Sequence, residues 1–244
     1  MIKIANHCHY HKKYARELIE RIKDYHSDKN FLIQIEDESL ALCCHIQNQK
    51  TCFKHSLTDP KLHKRASQKN QLLLKACNNK KRDIHTVIDL TAGWGRDSFI
   101  LATHGQHITM IEQNSLIFNS LNFLLNIVKH DHPEEKVYQQ LKLINENSVE
   151  FLSTKDTGFA DCLYLDPMFP AHKSSARPGK ELQILQLLTS NLNVDELFEL
   201  ALEKAKYRVV VKRPIHAQTL SDKKPDIVYK EKTIRFDVYL TNNL

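Results

Sequence analysis

Along this chain, short apolar runs alternate with longer stretches in which apolar residues recur every three or four positions. Near the start, Leu18, Ile19, Ile22 and Tyr25 fall on one helical face. Two apolar runs follow, 31–35 and 40–46, and the polar break Glu36-Asp37-Glu38-Ser39 between them predicts a hairpin. The stretch 57–60 reads as a boundary. Beyond it a basic helix is expected over 62–77, with Leu72, Leu73 and Leu74 as its apolar part. Strands are then expected over 87–90, 108–111, 141–144, 162–165 and 207–211, and helices over 97–103, 116–128, 148–152, 181–188 and 194–205. Asn193 and Glu196 make a capping-box-like start for the last helix.

Strand–helix alternation implies a parallel sheet covered on both faces. The final strands, 226–229 and 234–240, are separated by residues 230–233 alone. That is too short for a parallel crossover, so they are expected to pair as an antiparallel hairpin at the sheet edge. The expected fold is α/β: residues 1–60 as a small α+β subdomain, and residues 61–244 as a Rossmann-like, mostly parallel seven-stranded sheet ending in that hairpin. A nicotinamide-binding domain normally lacks the hairpin.

Composition sharpens this picture. Of 244 residues, 41% are hydrophobic and 26% charged, an ordinary globular mixture. No window reaches about 18 uninterrupted apolar residues, which excludes a spanning helix. The first residues carry no apolar run of the secretory kind, and the expectation is a cytoplasmic protein. The cysteines Cys8, Cys43, Cys44, Cys52, Cys77 and Cys162 are scattered and read as free thiols in a reducing compartment. Cys52 and His55 have ligand-like spacing, with Cys43, Cys44 and His45 nearby, but no second pair completes a zinc site, and no metal is expected.

The net charge of +6 is unevenly spread. From Lys50 to Arg82 there are ten basic residues, Lys61, Lys64, Arg65 and Lys69 among them, against one acid, Asp59. A second basic set includes Lys173, Arg177, Lys212 and Arg213. Such a surface serves either to attract a polyanion or simply to be solvated. Lys212 and Arg213 at a strand end can also snorkel to water.

Three motifs carry chemistry. In Val87-Ile88-Asp89-Leu90-Thr91-Ala92-Gly93-Trp94-Gly95-Arg96-Asp97, an apolar strand ends in an acid, a glycine turn follows and a helix opens. Gly93 and Gly95 let backbone approach a ligand closely, at the strand end where open α/β sheets bind ligands. Ser98 replaces the third glycine of a dinucleotide fingerprint, and no Gly-Lys-Ser/Thr of a P-loop is present. Glu112, 19 residues beyond Gly93 and at the end of the next strand, can accept hydrogen bonds from ribose hydroxyls, or serve as an exposed or capping acid.

The third motif, Asp166-Pro167-Met168-Phe169-Pro170, directly follows a strand. The exocyclic amine of a nucleobase is a poor nucleophile because its lone pair is delocalised into the ring. The Asp166 carboxylate and the Pro167 carbonyl can accept its hydrogens and aim the lone pair. Phe169 offers a face for a flipped base, worth about 1–3 kcal/mol. The alternative is a rigid loop around a buried phenylalanine.

The stretches 89–97, 166–170 and Val209-Val210-Val211-Lys212-Arg213-Pro214 resemble the RsmJ family of class I methyltransferases, over roughly residues 60–240. Members modify the N2 amine of a guanosine in 16S ribosomal RNA, using S-adenosylmethionine. The resemblance implies that Arg96, Asp97, Glu112, Gln113, Asn147, Ser148 and Asp166 line the cofactor site, alongside Asp89, Gly93 and Gly95. It implies 16S rRNA or the small ribosomal subunit as partner; charge alone then makes Lys61, Lys64, Arg65, Lys69, Lys173, Arg177, Lys212 and Arg213 the candidate phosphate contacts. Competing expectations are an enzyme acting on another nucleobase amine or a protein glutamine, and an RNA-binding module that has lost its chemistry.

Overall fold

The computed structural model describes residues 2–26, 30–78, 84–167, 179–189 and 192–241. The chain opens with β1 (Ile2–Asn6), α1 (Lys12–Ile22), β2 (Phe31–Ile35), β3 (Leu40–Ile46) and β4 (Gln49–His55). These strands form a sheet of order β1-β2-β3-β4, with β1 parallel to β2 and the other pairs antiparallel. In β2, Phe31, Ile33 and Ile35 point inward with Leu32 and Gln34 between them, the alternation of a half-buried strand. The hairpin expected at 36–39 is present, and β1 and β4 extend it on either side.

The thiol expectation needs correction. Cys43 and Cys52 stand opposite one another in the β3–β4 register, with Cα atoms 4.0 Å apart, and are joined as a disulfide. Cys8, Cys44, Cys77 and Cys162 are free and buried. His55, the other member of the ligand-like spacing, is buried against the rings of Phe53 and Trp94.

The single basic helix expected over 62–77 is two helices, α2 (Pro60–Ala66) and α3 (Leu72–Cys77). The Asp59 carboxylate caps α2 by accepting from Lys61 N at 2.9 Å. Past its end, Ser67 Oγ donates to Lys64 O, and Gln71 Nε2 donates to Arg65 O and Gln68 O. Side-chain amides and hydroxyls thus satisfy the carbonyls where the helix stops.

The remaining elements are β5 (Thr86–Asp89), α4 (Arg96–Thr103), β6 (His107–Ile111), α5 (Ser115–Asp131), α6 (Lys136–Gln139), β7 (Leu141–Ile144), α7 (Ser148–Ser153), β8 (Ala160–Leu165), α8 (Lys180–Leu188), α9 (Val194–Lys204), β9 (Ala205–Pro214), β10 (Ile227–Lys230) and β11 (Ile234–Leu240). They build a seven-stranded sheet of order β10-β11-β9-β8-β5-β6-β7. Strands β9, β8, β5, β6 and β7 are parallel, and the β10–β11 hairpin adds antiparallel to β9, as the short connection requires.

Alternate residues of the central strands feed two cores. Cys162, Tyr164 and Val210 join the cluster that holds Phe99 of α4 and Leu121 of α5, and it continues into Ile22, Phe31 and Leu42 of the N-terminal unit. Leu163, Leu165, Val209 and Val211 join the opposite cluster with Phe151 of α7 and Phe198 of α9. Among the described residues, no helix is long and apolar enough to cross a membrane.

Candidate active site

Strand β5 ends in Asp89, a buried acid that fastens the turn beyond it. Its Oδ1 accepts Thr91 N at 3.1 Å and its Oδ2 accepts Ser98 Oγ at 2.6 Å. Burial pushes its carboxyl up to about 7, against the pull of those two bonds. Gly93 and Gly95 both have left-handed backbone, φ +54° and +70°. A Cβ on Gly95 would lie 3.1 Å from Leu121 Cδ2 and 3.2 Å from Met110 Sδ, so an added methyl would press on both side chains. The nearest atoms to a Cβ on Gly93 are those of Leu185, at 3.8 Å, so that glycine leaves room on its cavity side.

Glu112 stands at the end of β6 with its carboxylate turned back on this loop. Its Oε2 accepts Gly93 N at 3.0 Å and its Oε1 accepts Asn114 N at 2.7 Å. Burial raises its pKa to about 7. Next to it, Gln113 Oε1 accepts Asn147 Nδ2 at 2.9 Å. Asn147 is also the N-cap of α7, accepting from Val149 N and Glu150 N at 2.9 and 3.3 Å. Ser148 Oγ donates to Leu90 O at 2.5 Å. Glu112, Gln113 and Ser148 line the cavity, while Asn147 supports them through Gln113.

At the ends of β8 and β9 the charges meet. Lys212 Nζ lies 2.7 Å from Oδ2 of Asp166 and 2.7 Å from Oδ2 of Asp97. Tyr164 OH donates to Asp97 Oδ2 at 2.7 Å, and Arg65 approaches the other Asp97 oxygen at 3.7 Å. Thr91 Oγ1 accepts the backbone N–H of Asp166 at 2.6 Å. Burial works to raise the Asp97 pKa, but Lys212, Tyr164 and Arg65 outweigh it and hold the carboxyl below its ordinary range. Burial, with the charge of Asp97, leaves Asp166 above that range despite Lys212. Burial likewise disfavours the Lys212 ammonium, but the two carboxylates outweigh it and raise its pKa.

This arrangement gives Lys212 and Arg213 partners that the sequence does not show. Lys212 follows Val210 by two residues, so strand alternation turns it toward α4 and its acids. Arg213 points to the other face, where it is buried and donates to Gln218 O. Both cations have partners inside the protein, and both line the cavity. Lys61, Lys64 and Lys69 are exposed on and just after α2. Arg65 has a half-exposed side chain at the cavity rim. Phe169, Lys173 and Arg177 lie outside the described residues.

These groups line one cavity of about 1040 Å³ at the carboxyl ends of the parallel strands. Helix α8 forms another wall: Leu182, Leu185 and Gln186 face the cavity, and Glu181 pairs with Arg96 at 2.5 Å. Arg96 is thus tied to α8. Trp94 is buried, 5.3 Å from the Phe53 ring, and packs the glycine loop onto β4. Sequence reasoning missed Tyr164, Thr91 and Glu181. The signal for Tyr164 was its place two residues before Asp166 on the same strand. Elsewhere, His11 and His130 each bond one oxygen of Asp131, at 2.9 and 2.8 Å, a clasp between the start of α1 and the end of α5.

The donor set suits a nucleoside with a charged amino-acid tail. Glu112 offers carboxylate acceptors for vicinal hydroxyls, Ile111 and Leu185 offer apolar faces, and the open side of Gly93 admits a close approach.

Comparison with known proteins matches residues 17–241 to a family described as "Putative SAM-dependent methyltransferase". Ribosomal RNA small subunit methyltransferase J of Coxiella burnetii (strain Dugway 5J108-111) is 40% identical over 173 residues, 70% of this chain and 67% of that protein. The protein of the same name in Haemophilus influenzae (strain PittGG) is 35% identical over 226 residues, 86% of each chain. Among solved structures, a SAM-dependent methyltransferase from Neisseria gonorrhoeae superposes with a TM-score of 0.71 at 26% identity, over 100% of this chain and 96% of the other.

Proposed function

The chain belongs to the SAM-dependent methyltransferase family, and from that membership we propose that it methylates the exocyclic N2 of a guanosine in 16S ribosomal RNA. The observation that carries this reading is the acid at the end of β8. Asp166 keeps 38% of its side chain exposed, in the same cavity as the glycine turn and Glu112. An acceptor for an amine and a cradle for a nucleoside therefore share one space.

Glu112 holds the ribose, Gln113 and Ser148 flank the base, and the turn from Gly93 to Asp97 borders the amino-acid tail. When bound, S-adenosylmethionine supplies an electrophilic methyl on a sulfonium sulfur, and the C–N bond forms as the C–S bond gives its electron pair to sulfur. Asp166 accepts an N–H hydrogen of the guanine amine, frees its lone pair from the ring and aims it. Pro167 is buried beside it and limits the freedom of the turn. Positioning and desolvation by these residues carry the rate, because the positive charge passes from sulfur to the amine nitrogen, dispersed in the transition state rather than newly created, and leaves with the proton. Asp166 orients the amine; the proton that leaves has a short path through it to solvent. Lys61, Lys64, Arg65 and Lys69 attract the RNA backbone beside the rim. The substrate is rRNA or the small ribosomal subunit, and the site of action is the cytoplasm, where that RNA is found.

The direct test is transfer of labelled methyl to rRNA from a strain lacking this activity, followed by nucleoside analysis. N2-methylguanosine is the expected product. Label on an adenine or cytosine amine, on protein, or nowhere would overturn the assignment.

A further inference from the structure

Two carboxylates and one ammonium converge where β8 and β9 leave the sheet. The two strands are parallel, with Leu165 paired to Val211, so the next residues, Asp166 and Lys212, emerge side by side. Lys212 Nζ takes Oδ2 of Asp166 and Oδ2 of Asp97, each at 2.7 Å. Asp97 is itself held by Tyr164 OH at 2.7 Å, and the Asp166 backbone by Thr91 Oγ1 at 2.6 Å. The lysine side chain is 20% exposed and Asp97 11%, so this is no solvated surface pair. Among the described residues, Oδ1 of Asp166 accepts no hydrogen bond.

We propose that Lys212 is a positioning residue for methyl transfer: it pins one oxygen of Asp166, sets a fixed positive charge beside that carboxylate and leaves the other oxygen facing the incoming amine. The inference rests on Asp166 being the amine acceptor. A protonated Asp166 carries a hydrogen where the amine must place its own, and its power to draw the lone pair out of the ring falls. The groups that face Asp166 are Lys212 from β9, Asp97 from α4, Asp89 from β5, Tyr164 from β8 and Arg65 from α2, with Glu181 of α8 beside the same cations. Removing Lys212 leaves Asp166 before Asp97 and Asp89, with Arg65 as countercharge from the rim. Like charges so placed favour protonation.

The test uses the full chain as wild type, Lys212→Met, Lys212→Arg and Lys212→Met with Asp97→Asn. Single-turnover methyl transfer to rRNA is followed across pH, S-adenosylhomocysteine affinity is measured by calorimetry, and the Asp166 carboxyl is titrated by 13C NMR, assigned with Asp166→Asn. Lys212→Met is expected to move both the acid limb of the rate and the Asp166 titration upward by about 1–3 pH units. Its rate should return toward wild type at high pH, and Lys212→Arg should restore the profile. The double variant removes the facing acid, guards against misfolding, and should reverse part of the shift. In the single variants Lys212→Met and Lys212→Arg, S-adenosylhomocysteine affinity should stay within about threefold of wild type. A loss equal at every pH with an unmoved titration would make Lys212 a packing residue. A loss of cofactor affinity of about tenfold would place it in the cofactor cradle instead. If the wild type itself transfers no methyl, the proposed function fails, while the NMR titration still decides whether the Lys212 charge acts on Asp166.

Discussion

The indole of Trp94 packs against the ring of Phe53, with centroids 5.3 Å apart, and so braces the cofactor turn on the N-terminal sheet. Arg96 lies over the same ring, 5.9 Å from its centroid, before it reaches Glu181 on α8. The N-terminal unit therefore helps to shape the cavity, although its strands carry none of the cavity-lining residues. Phe53→Ala is expected to weaken S-adenosylhomocysteine binding by about tenfold, or ~1.4 kcal/mol, with the main sheet still folded. Calorimetry and circular dichroism check this; unchanged affinity would mean that the turn holds its shape alone.

Gly95 and Gly105 separate two costs. Gly105 has φ +92° and open space where a Cβ would stand, so Gly105→Ala suffers backbone strain alone, about 1–2 kcal/mol. Gly95→Ala adds a clash with Leu121 and Met110 and should cost a further ~1–3 kcal/mol. Urea denaturation of both variants gives the comparison, and equal losses would contradict the packing argument.

Much of this was legible in the chain, and for physical reasons. The run 87–90 is apolar except for Asp89 because β5 is buried on both faces, and Gly93 and Gly95 follow it because the turn needs positive φ. The final hairpin followed from chain length alone. Asn193 announced α9, accepting from Glu196 N at 3.3 Å. The strand β4 stayed hidden because Lys50 and Lys54 stand on one exposed side and Gln49 at its start is exposed as well, and with it went the Cys43–Cys52 pairing. The break between α2 and α3 was invisible because no proline or glycine marks it. The partners of Lys212 were not legible because they lie 46 and 115 residues away, and no local pattern reports them.

Two buried acids make the ligand-free protein sensitive to pH. Asp89 and Glu112 are raised to about 7 from ordinary values of 3.8 and 4.5, so the folded state binds more protons than the unfolded one between those limits. Their contribution to stability is therefore present at low pH and falls as pH rises toward 7. His55, lowered to about 3 by burial, acts in the opposite sense below its ordinary 6.5. Between about pH 6.5 and 7.5 the acids dominate, and Tm should fall by an amount worth ~1 kcal/mol per group. In Glu112→Gln the fall should be about half as large. A Tm that rises across this window would refute the assignment of the shifts.

The exposed lysines of α2 and its C-terminal turn should act through salt alone. Replacing Lys61, Lys64 and Lys69 by Gln is expected to reduce the slope of log affinity against log salt by about 2 for rRNA, with the cofactor affinity unchanged. Filter binding at several salt concentrations measures this. A slope equal to that of the wild type would return these side chains to solvent.

The claim at the centre is that the Asp166 carboxylate orients an amine beside a bound methyl donor. Asp166→Ala addresses it most directly, with single-turnover formation of N2-methylguanosine and S-adenosylhomocysteine affinity read on one preparation. The expected result is a loss of about 10²–10⁴-fold in rate with cofactor affinity largely kept. A variant that methylates rRNA at the wild-type rate would contradict it.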